Sequence, residues 1–388
     1  MKIILDVMSG DHAPEELLRG AVMAASEFTE AEIVVVGNRE VIRKIAFVND
    51  LDISRLTVEH ARGVISMEDP PLSVVRQKKD SSMSVGLRML AEGRGDAFVS
   101  AGNTGALVTG ATLLVRRIKG IQRAGIATVL PFPVPLLLMD SGANLTVTSE
   151  HLEQFAYMGS KYMEKIYDIK RPRVGLLNNG SEYNKGNQVQ VEAYQLMLSQ
   201  NELNFIGNVE GKELPFNVCD VLVTDGFTGN IVLKYTEGMG KFMLHLLKDV
   251  LTANLMIKLS AATMKDQLHR LKKQFDASEH GGAPLLGISK PVIKAHGSSD
   301  AVAIKNAIYQ AINFVRTGIN DAIAEFAQAQ EAARYKQAEL LQLEEQAEEE
   351  PEELPEPSET PAAPTEPVPD KQKEKRSLFA SRSKKDKK

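Results

Sequence analysis

The sequence predicts an α/β fold, a mostly parallel sheet sandwiched by helices, with a protruding helical hairpin. Three observations predict it. Nine short apolar runs, several rich in Val and Ile, mostly end in Gly, Asn, Asp or Ser, as strands buried on both faces of a parallel sheet do. Amphipathic stretches alternate with them, which calls for right-handed crossovers. From Thr236 to about Phe275 no strand-like run occurs, and that stretch reads as two antiparallel helices.

Taken in order, the first run is IILDVM near Ile3, followed by the helical EELLRGAVMAASEF and by EIVVVG near Val34. SMSVGLRMLAEG sets Val85, Met89 and Leu90 on one helical face before DAFVSAG near Val99. GIATVLP near Ala127 and PLLLMDSG near Leu137 precede a helix with Ser149 as its expected N-cap, where Leu152, Phe155, Ala156 and Met163 recur at helical spacing. RVGLLNNG near Leu176, NFIGNVEG near Ile206, DVLVTDG near Leu222 and PVIKAHG near Ile293 complete the set. We expect one domain over 1–326, with the helical hairpin at about 236–275. A tail over 327–388 begins as Ala/Glu/Gln-rich helix, turns Glu/Pro-rich and then Lys-rich, and is expected to be disordered beyond about Glu348.

Composition excludes several classes. The 388 residues carry a net charge of −5, too little to argue for nucleic acid. Residues 327–370 hold 13 acidic and two basic side chains, a balance of −11, whereas 371–388 balance to +7. The body is left at −1, so the charge asymmetry belongs to the tail. The single cysteine, Cys219, cannot form an intrachain disulfide, which suits a reducing cytoplasm. The start, MKIILDVMSGD, is too short in its apolar part for a secretory signal. No run reaches the roughly 18 apolar residues of a membrane span. The longest apolar stretch, Ile126 to Met139, is interrupted by Pro131, Pro133 and Pro135.

Ligands of such folds bind in polar loops at the carboxyl ends of strands, and six loops hold the informative residues. They are Asp6–Pro14, Ser100-Ala-Gly102-Asn103-Thr104-Gly105, Asp140-Ser-Gly142-Ala-Asn144, Asn178–Gly186 with Lys185, Thr224–Asn230 with Asp225 and Gly229, and His280–Gly287 paired with His296. Each alone reads equally well as a turn, and Lys185 alone as a solvated lysine. Together, small polar loops with one lysine suit a phosphate-sized anion better than a metal. No two histidines stand at ligand spacing, no Gly-Lys-Ser/Thr follows the glycines, and there is no GxSxG elbow. Cys219, next to Asp220, is poorly placed for a thiolate. No cofactor is expected.

The strings DVMSGDHAP, RQKKDSSM, SAGNTGA, DSGAN, LLNNGSEYNKGN, FIGNVEG, DVLVTDGFTGNIVLK, GGAPLLG and IKAHGSSD, in this order, resemble the PlsX family of acyl-[acyl carrier protein]:phosphate acyltransferases. Ser9 stands where that family usually has Gly, and His280 where it usually has Tyr; the tail has no counterpart in the family. The resemblance implies a phosphotransacetylase-like fold, related to the isocitrate and isopropylmalate dehydrogenases, usually as a homodimer. The implied substrates are acyl carrier protein thioester and inorganic phosphate, and the acyl phosphate passes to a membrane glycerol-3-phosphate acyltransferase. Carried onto this sequence, it makes Lys185, Asn230 and Asp225 the expected catalytic residues. Ser100, Asn103, Thr104, Asp140, Asn144, Asn178, Gly229 and His296 would line the substrate site.

Phosphate is already an anionic nucleophile and a thiol of reference pKa roughly 8.5 leaves readily, so catalysis reduces to placement and oxyanion stabilisation. Lys185 would neutralise phosphate, Asn230 or a backbone N–H beside it would donate to the oxyanion, and Asp225 would position Lys185 or a neighbouring amide. On the hairpin, Leu251, Leu255 and Leu259 form an apolar stripe with lysines nearby, suited either to an anionic membrane surface or to a dimer bundle. The basic KQKEKRSLFASRSKKDKK end suits anionic lipid or plain solvation. A cytoplasmic protein, peripheral at the inner face of the membrane, is the expectation. The rivals are a phosphotransacetylase acting on acyl-coenzyme A and a non-catalytic scaffold that recruits the carrier.

Overall fold

The computed structural model describes residues 1–254, 256–257, 263–274, 281–332 and 339. The chain divides into two units, 1–336 and 337–388. The second unit, apart from residue 339, lies outside the described residues, as do Leu255, Leu259 and His280.

Eleven strands build one sheet: β1 (Lys2–Asp6), β2 (Glu32–Gly37), β3 (Leu56–His60), β4 (Ala97–Ser100), β5 (Gly125–Leu130), β6 (Leu136–Met139), β7 (Arg173–Asn178), β8 (Asn204–Glu210), β9 (Val221–Val223), β10 (Ala283–Leu286) and β11 (Val292–Lys294). The helices are α1 (Glu15–Glu27), α2 (Arg39–Val48), α3 (Ser82–Ala91), α4 (Thr104–Gly110), α5 (Ser149–Tyr167), α6 (Gln188–Leu198), α7 (Gly226–Thr252), α8 (Lys265–Gln274) and α9 (Ala301–Thr317). All nine expected runs are strands. The two not foreseen are β3, only partly buried near the sheet edge, and β10, whose APLL had read as loop.

The strand order is β3-β2-β1-β4-β11-β10-β5-β6-β9-β7-β8. Two parallel blocks, β3-β2-β1-β4-β11 and β6-β9-β7-β8, run in opposite directions, joined through the antiparallel pairings of β10 and β5. The register is what makes a site. Lys294 at the end of β11 pairs with Ala283, Leu285 pairs with Ile126, and Ala127 pairs with Met139 at the end of β6. The carboxyl ends of the two blocks thus approach each other from opposite sides, only a few residues of β10 and β5 apart.

The core explains why these segments fold so. Alternate residues of β1, Ile3 and Leu5, pack into a cluster with Leu17 and Leu18 of α1, Phe155 of α5 and Ile304 and Ile308 of α9. Ile4 faces the other side with Phe98 of β4 and Leu87 and Leu90 of α3. Both residue sets are at or near zero exposure, the two-sided burial that a parallel sheet demands. Truncating a fully buried side chain such as Phe155 to Ala would cost about 3–5 kcal/mol. Helix starts follow local chemistry: Asn38 caps α2 through the amides of Glu40 and Val41, and Asn187 caps α6 in a capping box with Gln190. The cap of α5 is Thr148 rather than Ser149, because His151 reaches back to the Thr148 amide and closes a capping box one residue earlier.

Candidate active site

The site is built where the two blocks meet. A cavity of about 430 Å³ is lined by Thr104 after β4, by Ile126, Thr128 and Val129 of β5, by Ser141 and Gly142 after β6, by Asn230, Leu233, Lys234 and Glu237 of α7, and by Lys294 and His296 of β11 and the turn after it. One wall is apolar and the other carries three nitrogen bases.

The loop after β4 is fixed from beneath. Ser100 is fully buried and its hydroxyl donates to Asp6 Oδ2 at 2.9 Å, while accepting from the Gly102 amide at 3.1 Å. Burial pushes the Asp6 carboxyl up, against hydrogen bonds that favour its charge. Asn103 is spent on structure. Its Oδ1 caps α4 through the Ala106 amide, and its Nδ2 donates to the carbonyls of Ser66, Met67 and Asp69. Thr104, the next residue, is the one that lines the cavity.

The loop after β6 is organised by one carboxylate. Asp140 has no exposed surface. Its oxygens accept from the amides of Ile126, Gly142, Ala143 and Asn144 and from the Asn144 side chain, at 2.7–3.2 Å. Burial pushes this carboxyl up as well, with those donors opposing the shift. Asn144 also donates to the Ala124 carbonyl, and its own carbonyl accepts from the Gly226 amide at 2.7 Å. That last bond docks the start of α7 on the loop. Asp140 and Asn144 therefore hold the site from behind and do not line the cavity.

Helix α7 begins at Gly226, ten residues before the sequence pattern turns helical, because Asp225 caps it. The Asp225 carboxylate accepts from the Thr228 amide at 2.8 Å and from the Thr228 hydroxyl at 2.7 Å. Gly229 lies where the helix passes closest to the loop: a Cβ there would stand 1.9 Å from the Asp140 carbonyl oxygen. Gly142, at φ +146°, faces Asn230, and a Cβ on it would stand 3.0 Å from Asn230 Nδ2. Asn230 is thereby presented to the cavity one turn into α7, with Leu233, Lys234 and Glu237 following along the same face.

Opposite stands β11. The Lys294 ammonium bonds the carbonyl oxygens of Ala295 and Ala101. Burial, with Lys234 nearby, lowers its pKa to about 8. His296 Nε2 lies 3.4 Å from Lys234 Nζ, its Nδ1 accepts from the Ser298 amide, and burial together with Lys234 lowers its pKa. Lys234 pairs with Glu237 at 2.9 Å. Neither lysine was singled out from sequence. The available signal was Lys294 itself, a charged residue ending an apolar strand at the centre of the sheet.

The structure thus brings Thr104, Asn230 and His296 to one cavity. It sets Ser100, Asn103, Asp140, Asn144, Asp225 and Gly229 behind it as supports. Lys185 and Asn178 stand apart. Asn178 Nδ2 donates to the Lys185 carbonyl at 2.9 Å, and Lys185 Nζ lies 4.0 Å from Glu182, half exposed. Asn178 ends β7 and Lys185 lies in the loop after it, with β9 between β7 and β6, and neither lines the cavity. Leu251 is half-buried near the end of α7. Cys219 is buried and its thiol is pushed up to about 12. Among the described residues no group of three His, Cys, Asp or Glu side chains is placed to hold a metal ion.

A family model described as fatty acid synthesis protein matches residues 1–322. The chain is 48% identical over 326 residues to the phosphate acyltransferase of Thermoanaerobacter pseudethanolicus, covering 84% of this chain and 97% of that one. It is 46% identical over 327 residues to the phosphate acyltransferase of Shouchella clausii, covering 84% and 98%. In architecture it is similar to a phosphotransacetylase from Streptococcus pyogenes, at a TM-score of 0.51 and 17% identity over 83% of this chain and 94% of that one. That likeness is one of fold.

Proposed function

This chain belongs to the fatty acid synthesis protein family, and on that premise we propose that it transfers the acyl group of a carrier-protein thioester to inorganic phosphate, for phospholipid synthesis. It is a phosphate acyltransferase. A phosphate oxygen attacks the thioester carbonyl carbon and forms the new C–O bond. The carbonyl oxygen takes the negative charge. Collapse of this intermediate breaks the C–S bond, the carrier leaves as thiolate, and the thiolate takes a proton from water. The products are acyl phosphate and free carrier.

The observation that carries the reading is the Asn230 amide, which Gly142 leaves room for, sharing one cavity with the cationic Lys234 and Lys294 and standing beside an apolar wall of Ile126, Val129 and Leu233. An amide donor serves the oxyanion, cations serve phosphate, and the apolar wall serves the acyl chain. Thr104 and His296 contact the substrates in this proposal. Asp225 acts through the cap of α7, which fixes where Asn230 stands. Ser100, Asn103, Asp140, Asn144 and Gly229 shape the wall, and Asn178 holds the Lys185 loop. Lys185, outside the cavity, acts at a distance by drawing anionic substrate toward the cleft.

Two further parts of the proposal concern surfaces. Exposed Phe227, Ile231, Tyr235, Phe242, Leu246 and Val250 form a stripe along α7, which supports a homodimer built on that helix. No helix of the described residues is long and apolar enough to cross a membrane. Delivery of a greasy product to a membrane acyltransferase that acylates glycerol 3-phosphate then favours a cytoplasmic enzyme touching anionic lipid, with Leu251, Leu255 and Leu259 as the contact.

Incubating the full chain with labelled phosphate and either an acyl carrier thioester or acyl-coenzyme A tests the core reading. Acyl phosphate formed preferentially from the carrier thioester is expected. Turnover of acyl-coenzyme A alone would overturn it.

A further inference from the structure

Lys294 is out of place for a residue that ends a central strand. Strand β11 lies between β4 and β10, and its neighbour Ile293 is fully buried on the opposite face, so the alternation of a strand sends Lys294 into the cavity. Its ammonium has three donors. Two are directed at the carbonyls of Ala101 and Ala295, neither of which carries a full charge. Among the described residues no carboxylate lies within 4.0 Å of it. Lys234, the nearest other lysine of the cavity, has its own partner in Glu237, and Asp11 is felt by Lys294 only at longer range.

A part-buried cation with no carboxylate beside it is costly, and the same fold could have placed an apolar residue there. Gly102, Gly282 and Gly297 line the cavity beside Lys294 and His296. The chemistry that suits a charged donor, a second lysine, an imidazole and a Thr hydroxyl around a small hollow is that of a tetrahedral oxyanion.

We propose that Lys294 is the phosphate-binding cation of this enzyme, with Lys234 and His296 completing the subsite. The assignment rests on the phosphate acyltransferase reading and adds the residue that holds the nucleophile. Phosphate bound there faces Asn230 across the cavity, with the thioester carbonyl between them.

The test is steady-state turnover of acyl carrier thioester by the full chain over a range of phosphate concentrations, for wild type and Lys294→Met. The KM for phosphate should rise at least tenfold, with the KM for thioester within about twofold of wild type. Independently of turnover, phosphate should raise the melting temperature of wild type above that in chloride, and this shift should vanish in Lys294→Met. An unchanged phosphate KM or an unchanged phosphate-induced shift overturns the assignment. If Lys294→Met does not fold, acetic anhydride labelling of wild type decides: phosphate should shield Lys294, and equal labelling with and without phosphate refutes its role. Failure of wild type to form acyl phosphate would sink the reaction, whereas the melting and labelling measurements would still judge the binding site.

Discussion

Lys234 Nζ lies 3.4 Å from His296 Nε2, and this contact ties the helix covering the cavity to the strand end at its floor. Helix α7 leaves β9 of one parallel block, while His296 follows β11 of the other. The pair therefore reports whether the two blocks are held in register across the site. Burial and Lys234 both lower the His296 pKa; with Nδ1 accepting from the Ser298 amide, the neutral ring carries its proton on Nε2, so Lys234 and His296 both present N–H donors at this point.

Asn230→Ala should separate chemistry from folding. The side chain is exposed and lies in a position where surface substitutions cost about 0.5 kcal/mol or less. If its amide donates to the oxyanion, kcat should fall roughly 10²- to 10³-fold with an unchanged melting temperature. A fall of less than threefold would remove Asn230 from the chemistry.

Gly229→Ala should do the reverse, damaging the frame first. The added Cβ would stand 1.9 Å from the Asp140 carbonyl oxygen, which is backbone and cannot step aside. Overpacking of this kind costs about 1–3 kcal/mol, and relief requires the first turn of α7 to move away from the 140–144 loop. Denaturant unfolding should show that loss, and the displaced Asn230 should lower kcat as well. Asp225→Ala should show a milder version, about 1 kcal/mol for the lost cap.

Most of the sheet was legible because two-sided burial makes each strand an apolar run of Val, Ile and Leu ending at a polar turn. β10 was hidden by the proline in APLL and by its brevity, and β3 by its half-exposed LTVEH. The site was only partly legible, for a topological reason. Loops at strand ends share one edge only when the strands run the same way, and here β6, β9 and β7 run opposite to β1, β4 and β11. That reversal depends on β10, the strand that had read as loop. Thr104, Asn230 and His296 meet because β4, β9 and β11, the strands they follow, lie within two places of the crossover strands β10 and β5. Lys185, one strand further out than the α7 start, does not. Asp140, Asn103 and Asp225 looked like ligands because capping and anion binding use the same residue types.

The pH dependence follows from Lys294. Its pKa is lowered to about 8 from an ordinary value near 10.4. The titratable groups around it are Lys234 on α7, paired with Glu237, His296 on the turn after β11, and Asp11 after β1. A lysine with a lowered folded pKa is charged in both states below about pH 8, and there its burial costs stability. Between about pH 8 and 10.4 the unfolded chain binds more protons than the folded one, so this cost is relieved as pH rises. Lys294→Met should therefore be more stable than wild type at pH 7, on the order of 1–3 kcal/mol, and the difference should shrink above pH 8. In wild type, kcat/KM for phosphate should fall above about pH 8 as the free enzyme loses this proton. A pH-independent stability difference would show that Lys294 titrates normally.

The α7 stripe and the Leu251 end of that helix offer the same apolar chemistry to two different partners, and position along the helix separates them. Ile231 and Tyr235, near the cavity end, are exposed together, and burying such a stripe against a second copy would recover about 25 cal/mol for each Å² removed from water. Ile231→Glu with Tyr235→Glu should therefore yield a monomer by light scattering while leaving flotation with anionic vesicles intact. Leu251→Glu with Leu255→Glu and Leu259→Glu should abolish flotation and leave the dimer, because a charge inserted into lipid is expensive. If the first variant remained dimeric, the stripe would belong to something other than a second copy. If the last floated as wild type does, membrane contact through that end of the helix would be ruled out.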